Sequence, residues 1–245
     1  FLGVDEPGFA AVMDLDADGT TLFADDLTLD DIVWTGPRPT VAERAARAGV
    51  SASAPAAALA DLLAEARDAG RPIHLLPPYR PENRLRLLEL LGIPPAEQAA
   101  RASLSFLQAV VELRLRKEAC EVSEIEAAVA TSVEMHLAAM RMARPGLREA
   151  EIAARVGEIA EAAGGRTAFP VIATVHGETL HNHAHGNTLE AGQLFLLDAG
   201  AETARHYAGD LTSTFPVSPR FGARQRDIYG VVLSAHLAAV GALRP

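Results

Sequence analysis

The chain has 245 residues, of which 49% are hydrophobic and 22% charged, which is the balance of a globular protein and not of a disordered one. It carries 22 Lys and Arg against 32 Asp and Glu, and the net charge of -10 argues against a nucleic-acid or anionic-membrane surface. No uncharged apolar run reaches the ~18 residues that a membrane span needs. The single cysteine, Cys120, excludes an internal disulfide and suits a reducing cytoplasm.

The first hundred residues alternate strand-like and helical patterns. Apolar runs at strand spacing flank a turn signal at residues 16–19, and stretches with helical spacing follow. The predicted strands are residues 9–15, 20–24 and 73–76, and the predicted helices are residues 54–69 and 84–91. This alternation predicts a small α/β domain in residues 1–104.

A second pattern starts near Ser105, where long helical stretches precede a group of strands. The spacing of Ser123 and Glu126 is that of a capping box, which predicts that one helix ends there and another begins. The other predicted elements are helices at residues 149–163 and 223–243 and strands at residues 168–175, 194–198 and 207–217. We therefore expect a second domain in residues 105–245.

Two aspartates in this second domain are candidates for a metal site. Asp198 ends the apolar run 194–197, the pattern of a buried strand, and Asp210 lies 12 residues later. A short connection near residues 203–205 would pair the two segments as antiparallel strands and bring the carboxylates together. Close carboxylates repel each other unless a cation neutralises them, so a divalent metal is indicated. The alternative is a turn-capping aspartate and an unrelated one.

Several runs around this pair match one family together. They are Leu180-His181, Asp198-Ala199-Gly200-Ala201-Glu202, residues 207–212, residues 214–217, and Gln225 with Ile228-Tyr229. In these runs the chain resembles the Xaa-Pro aminopeptidase and prolidase branch of the pita-bread metallopeptidases. Residues 114–125 and Pro145-Gly146 are similar to the helices that open that catalytic fold, and residues 1–8 and 30–36 to its N-terminal domain. Ser213 is a departure, because many relatives have Arg there.

The resemblance implies an α/β fold in which a creatinase-like N-terminal domain, lacking its start, precedes the first half of a pita-bread catalytic domain. It implies that Asp198 binds one metal ion, that Asp210 bridges two, and that His181 contacts substrate near the scissile bond. Tyr207 and Thr212 are candidates for supporting contacts beside the ions. The implied cofactor is a pair of divalent ions, Mn²⁺ before Co²⁺ or Zn²⁺, because oxygen ligands dominate.

The implied activity is hydrolysis of the bond between an N-terminal residue and proline, by a cytoplasmic protein that forms a dimer or higher oligomer. The alternatives are a prolidase acting on Xaa-Pro dipeptides, a metal-free creatinase-like hydrolase and a non-catalytic pita-bread binding module.

In the family, one His ligand, two Glu ligands and the general base come from the second half of the fold. We expect them to lie beyond Pro245 and the present chain to be inactive alone. Because the chain begins Phe1-Leu2-Gly3 without Met, we interpret it as a piece of a longer protein.

Two other patterns offer competing metal sites. Residues 181–185 read His-Asn-His-Ala-His, so a strand there would place three imidazoles on one face. Residues 14–19 resemble the start of a calcium loop, but their flanks are strand-like, and an Asp-Gly hairpin turn explains them better. His136 lies on the apolar stripe of its predicted helix and is interpreted as structural.

Overall fold

The computed structural model describes residues 2–244, so Phe1 and Pro245, which bound the two predicted domains, lie outside the described residues. The chain divides into two compact units, one ending at Leu115 and the next beginning at Arg116. Among the helices of residues 2–244, none is both long enough and apolar enough to cross a membrane.

The first unit joins a small three-stranded sheet to a series of helices. Its described strands are β1 (Ala10–Asp14), β2 (Gly19–Phe23) and β3 (Ala52–Ala54). Its described helices are α1 (Leu29–Thr35), α2 (Val41–Arg47), α3 (Ala58–Asp68), α4 (Pro81–Leu91), α5 (Gln98–Arg101) and α6 (Leu104–Leu115). β1 and β2 pair antiparallel as the predicted hairpin, and β3 lies parallel to β2.

The hairpin turn of β1 and β2 is stabilised by Asp14. Its carboxylate accepts the amide protons of Asp16 and Ala17 at 3.0 and 3.1 Å, and the Arg71 guanidinium binds both Asp14 and Asp16. The hydrogen bonds from Arg71 hold the pKa of Asp14 well below its usual range. Two of the carboxylates that a calcium loop would use, those of Asp14 and Asp16, are therefore occupied by a cation of the chain itself, and the hairpin-turn interpretation is correct.

The first unit differs from the sequence-based expectation in its helices and in one strand. The helices α1 and α2 are not predicted from the sequence pattern. Each of them nevertheless begins with a capping box, at Thr28 and at Thr40. The strand predicted at residues 73–76 is wrong, since that segment pairs with no strand of the described residues. Pro77 and Pro78 follow it and have no amide proton to donate to a ladder. The apolar residue that suggested a strand, Leu75, is buried in an irregular segment.

The second unit packs two long helices on an antiparallel sheet. Its described helices are α7 (Ala119–Met142), α8 (Glu149–Ala162) and α9 (Ala223–Ala242). Its described strands are β4 (Arg166–Thr167), β5 (Ile172–Thr174), β6 (Leu194–Ala199), β7 (Ala201–Glu202) and β8 (Leu211–Pro216). β6 lies between β5 and β8, and β4 pairs with β7. The core of this unit includes Met135, Ile152, Val156, Phe195 and Leu197.

The helix break predicted at Ser123 is wrong. α7 begins at Ala119 and continues through Ser123, whose hydroxyl donates to the carbonyl of Ala119 at 3.0 Å. The capping interaction lies earlier, where the side chain of Glu121 accepts the amide proton of Glu118 at 2.8 Å. A glutamate in the N-cap position lacks the Ser or Thr signature, so the true start of the helix was not recognised.

The backbone of the second unit passes very close to itself at Gly200 and Gly209. A Cβ added to Gly200 would lie 1.7 Å from the carbonyl oxygen of Gly209. A Cβ added to Gly209 would lie 2.4 Å from the hydroxyl of Ser132 on α7. Both positions therefore exclude every side chain larger than hydrogen.

We predict that Gly200→Ala lowers the free energy of unfolding by about 1–3 kcal/mol or more, because the methyl group overlaps backbone atoms that cannot move independently. Gly157→Ala is the matched control, since a Cβ at this position of α8 meets no atom within 4 Å. Alanine there should be neutral or stabilising. Urea unfolding of both variants measures the difference, and equal stability of the two would contradict the close approach.

Candidate metal centre

Asp198 and Asp210 lie on the same face of the strands that carry them. The predicted antiparallel pairing is confirmed, and its register places Asp198 opposite Thr212. The register continues beyond β6, where the amide of Gly209 donates to the carbonyl of Ala201 at 2.8 Å. Asp210 therefore lies diagonally across from Asp198. Diagonal neighbours of an antiparallel pair are about 7–8 Å apart, so both carboxylates can reach one site between them.

One carboxylate oxygen of Asp198, Oδ1, is buried without a hydrogen-bond partner among the described residues. A buried polar atom without a partner costs about 1–3 kcal/mol. A divalent cation would compensate this atom, because carboxylate oxygens are the ligands that hard cations prefer. Asp210 is exposed and can share the same cation, so the two residues fit a metal site.

The described part of the chain supplies this pair and no fuller ligand set. In residues 2–244, no group of three or more His, Cys, Asp or Glu side chains is placed to hold an ion. His181 therefore forms no such group with Asp198 and Asp210. The candidate centre is a two-carboxylate site on a sheet face that is buried beside β5 and open to solvent at Asp210 and Thr212.

The segment of alternating histidines is a loop. Residues 181–185 form no strand, so the three imidazoles do not share a strand face. The reason is the side chain of Asn182, whose Oδ1 accepts the amide proton of Ala184 at 3.1 Å. Its Nδ2 donates to the hydroxyl of Thr174 at 3.2 Å. These bonds turn the chain back toward β5, and the alternative of an independent three-histidine site is not supported.

The histidines of this loop have different surroundings. His181 is exposed, and the centroid of its ring lies 6.3 Å from that of His183 in a stacked arrangement. The Nε2 atom of His185 contacts the carbonyl oxygen of Val171 at 3.0 Å, next to the residue that pairs with Asp198. His181 and His183 are thus both exposed and adjacent, whereas the ring of His185 is half-buried against the backbone of Val171.

Glu149, the first residue of α8, holds both ends of the loop. It is fully buried, and its carboxylate accepts the amide protons of Val175 and Asn187, each at 2.9 Å. The side-chain amide of Asn187 adds contacts at 3.0 Å. Burial alone would raise the pKa of Glu149, but these hydrogen bonds outweigh it and hold the pKa below its ordinary 4.5. A buried negative charge therefore fixes the loop that carries His181.

The two residues predicted to support the aspartates have separate positions. Thr212 is exposed directly opposite Asp198. The hydroxyl of Tyr207 donates to a carboxylate oxygen of Glu121 on α7 at 2.7 Å. This bond raises the pKa of Tyr207. Thr212 thus lies on the face of the aspartates, whereas the hydroxyl of Tyr207 is committed to α7.

The buried polar residues of the second unit were not predicted as site residues. Among them are Glu149, Ser132 and His136. Ser132 and His136 lie four residues apart on α7, so they share one face of that helix. Two polar residues at this spacing within an apolar stripe are a signal of buried hydrogen bonding, of which only His136 is singled out in the sequence, as a structural residue.

Sequence profiles of known families match both units. The profile of the aminopeptidase P N-terminal domain matches residues 1–74, and that of metallopeptidase family M24 matches residues 123–245, half of the chain. The chain belongs to metallopeptidase family M24. The predicted membership in the branch that contains the Xaa-Pro aminopeptidases is confirmed.

Individual relatives agree with this membership. The chain is 28% identical to Xaa-Pro aminopeptidase 2 of Streptomyces coelicolor over 222 residues, covering 87% of this chain and 44% of that protein. It is 31% identical to the Xaa-Pro aminopeptidase of Escherichia coli over 152 residues, covering 60% of this chain and 34% of that protein. The chain therefore spans less than half the length of these two relatives.

Solved structures confirm the fold class. Aminopeptidase P from Escherichia coli, in its low-pH form, superimposes with a TM-score of 0.83 at 24% identity, covering 100% of this chain and 58% of that one. Aminopeptidase PepP of Pseudomonas aeruginosa gives a TM-score of 0.76 at 27% identity, covering 92% and 53%. The fold is α/β, with an aminopeptidase P N-terminal domain followed by part of a pita-bread domain. The boundary between residues 104 and 105 stays a prediction.

We predict that Glu149→Gln lowers the free energy of unfolding at pH 7 by about 1–3 kcal/mol, because an amide cannot satisfy the same donors. The folded pKa of Glu149 lies below its unfolded value, so its charge stabilises the fold above the unfolded pKa. That stabilisation is lost as the pH falls through the folded pKa, and the difference from wild type should shrink in acid.

Urea unfolding at pH 7 and at successively lower pH measures this difference. Glu161→Gln is the matched control, with the same charge change on an exposed position of α8. Its effect should stay within about 0.5 kcal/mol at every pH. A Glu149→Gln protein as stable as this control would show that the buried charge does not hold the loop.

Proposed function

We propose that the chain contributes the aspartate pair of a dinuclear metal centre in an Xaa-Pro aminopeptidase, which removes the N-terminal residue that precedes proline. The observation that carries the proposal is the buried, partnerless Oδ1 of Asp198 diagonally across from Asp210. The Xaa-Pro aminopeptidases among the relatives support the reaction. The substrates would be peptides that begin Xaa-Pro.

The two aspartates have distinct roles in this proposal. Asp198, half-buried, would hold one ion, and Asp210, exposed, would be shared between the two. When bound, divalent ions supply Lewis acidity toward the scissile carbonyl and lower the pKa of water. Mn²⁺ is the proposed metal, with Co²⁺ or Zn²⁺ as alternatives, because carboxylates suit Mn²⁺. Thr212, opposite Asp198, is proposed to orient that carboxylate.

His181 is proposed to contact substrate. Its ring is exposed on a loop whose two ends are fixed by the buried Glu149. A side chain on a loop held in this way can meet an incoming peptide without a large loss of conformational freedom. His181 would then orient the peptide near the scissile bond without binding metal.

The alternatives account less well for the site. A metal-free creatinase-like hydrolase or a non-catalytic binding module leaves the buried oxygen of Asp198 without compensating charge. A prolidase would use the same centre and differs in the length of its peptide substrate. A cytoplasmic location is also part of the proposal, since Cys120 is a free, exposed thiol that suits a reducing compartment.

We predict that Asp210→Asn weakens Mn²⁺ binding to the 245-residue chain at least about tenfold, since removing a nearby charge costs about 1–4 kcal/mol. The loss of the free Mn²⁺ signal in electron paramagnetic resonance measures binding directly. Asp227→Asn, with the same charge change on α9, and His181→Ala should both bind Mn²⁺ as the wild type does. Unchanged affinity in Asp210→Asn would remove the proposed centre.

With only two carboxylates, the chain should not hydrolyse Xaa-Pro peptides when Mn²⁺ is added.

We predict that the 245-residue chain associates with itself through α9. Residues 228–243 contain no Asp, Glu, Lys or Arg, and Val231 and Leu237 are 71% and 60% exposed. Contiguous exposed apolar area beyond a few hundred Å² normally finds a partner. Combining Val231→Glu with Leu237→Lys should shift the mass measured by light scattering toward the monomer. Leu15→Glu, at an isolated leucine that is 82% exposed, is the control, and a monomeric wild-type chain would contradict the prediction.

A further inference from the structure

Two polar side chains of α7 reach the strands that carry the aspartates. Ser132 and His136 are buried, with 0% and 5% of their surfaces exposed. The Ser132 hydroxyl donates to the carbonyl of Ala128 at 2.8 Å and accepts the amide proton of Ala201 at 2.9 Å. Ser132 therefore links the helix to the backbone that follows β6.

His136 makes a second link one helical turn later. Its Nε2 atom lies 3.1 Å from the carbonyl oxygen of Ala199, and its Nδ1 atom lies 2.6 Å from the hydroxyl of Ser213. A carbonyl oxygen can only accept, so Nε2 carries the proton of this bond. In the neutral ring, Nδ1 then accepts from Ser213. One imidazole thus joins β6 to β8 from the side opposite the aspartates.

These links act on backbone directly beside both carboxylates. Ala199 follows Asp198 in the chain and points to the other face of the sheet. The carbonyl of Ala201 accepts the amide proton of Gly209, the residue before Asp210. Because Gly209 has no side chain, the Ser132 hydroxyl can reach this point. The two α7 side chains therefore hold the segments that set the separation of the carboxylates.

We propose that Ser132 and His136 form a polar clamp on α7 that holds Asp198 and Asp210 at the spacing a divalent ion requires, and that this clamp sets the affinity of the site. The inference rests on the proposed metal centre and names positioning residues for it. Neither side chain is on the face of the aspartates, so neither is a metal ligand.

Substitutions of His136 separate its two hydrogen bonds. The amide nitrogen of Gln reaches the place of Nε2 and can donate to Ala199, whereas the shorter Asn reaches only the place of Nδ1 and Ser213. Mn²⁺ affinity of the 245-residue chain is measured by paramagnetic resonance, with stability measured by urea unfolding. Residues that orient metal ligands typically change affinity 10–100-fold. His136→Asn and Ser132→Ala should therefore weaken binding about tenfold or more, and His136→Gln should stay close to wild type.

Val156→Ala is the control for lost stability. Val156 is a fully buried residue of α8 in the same core, so its truncation should lower stability and leave Mn²⁺ affinity unchanged. Wild-type affinity in His136→Asn and Ser132→Ala would show that the clamp only stabilises the fold. Equal losses in the Asn and Gln variants would overturn the role of the Ala199 bond. If Ser132→Ala does not fold, the two His136 variants decide the question.

The proposed centre is tested separately in the same assay. If Asp210→Asn binds Mn²⁺ as tightly as the wild type, the centre itself is absent and the clamp has no site to tune. If Asp210→Asn loses binding while His136→Asn keeps it, the centre stands and the clamp alone is overturned.

Discussion

The arrangement of the carboxylates depends on how closely the chain passes itself after β6. The backbones of Gly200 and Gly209 approach so closely that a methyl group on either would overlap backbone or side-chain atoms. This contact lies directly beyond the ladder that pairs β6 with β8 and keeps the same register. If the pairing shifted by one residue, the side chains of Asp198 and Asp210 would lie on opposite faces of the sheet. Two residues without side chains therefore permit one face of the sheet to carry both acids.

Among the described residues of the second unit, the buried side-chain oxygen and nitrogen atoms have partners within the chain, except for one carboxylate oxygen. Glu149 receives amide protons from two separate segments, and Ser132 and His136 each bond to strand backbone. The buried oxygen of Asp198 receives no such bond within residues 2–244. A buried carboxylate oxygen without a partner needs a compensating cation, and this need is the basis for proposing Asp198 as a metal ligand.

Periodic patterns allowed much of the fold to be predicted. Alternation and a turn signal identified the hairpin of β1 and β2, and the spacing of Asp198 and Asp210 indicated a pair. The roles of Glu149 and His136 could not be predicted in this way. Glu149 meets partners 26 and 38 residues away, and His136 meets a carbonyl 63 residues away. Contacts between residues so far apart along the chain depend on tertiary packing, and tertiary packing produces no periodic pattern in the sequence.

The uncompensated oxygen of Asp198 also ties the folded state to its chemical surroundings. In the unfolded chain water solvates this atom. Folding removes that water, and the desolvation free energy makes the folded state less favourable. A cation that removes this cost binds the folded form more tightly than the unfolded form. Mass action then couples the concentration of that cation to the population of folded molecules. The supply of divalent ions would thus influence how long the polypeptide survives proteolysis, quite apart from any turnover of substrate.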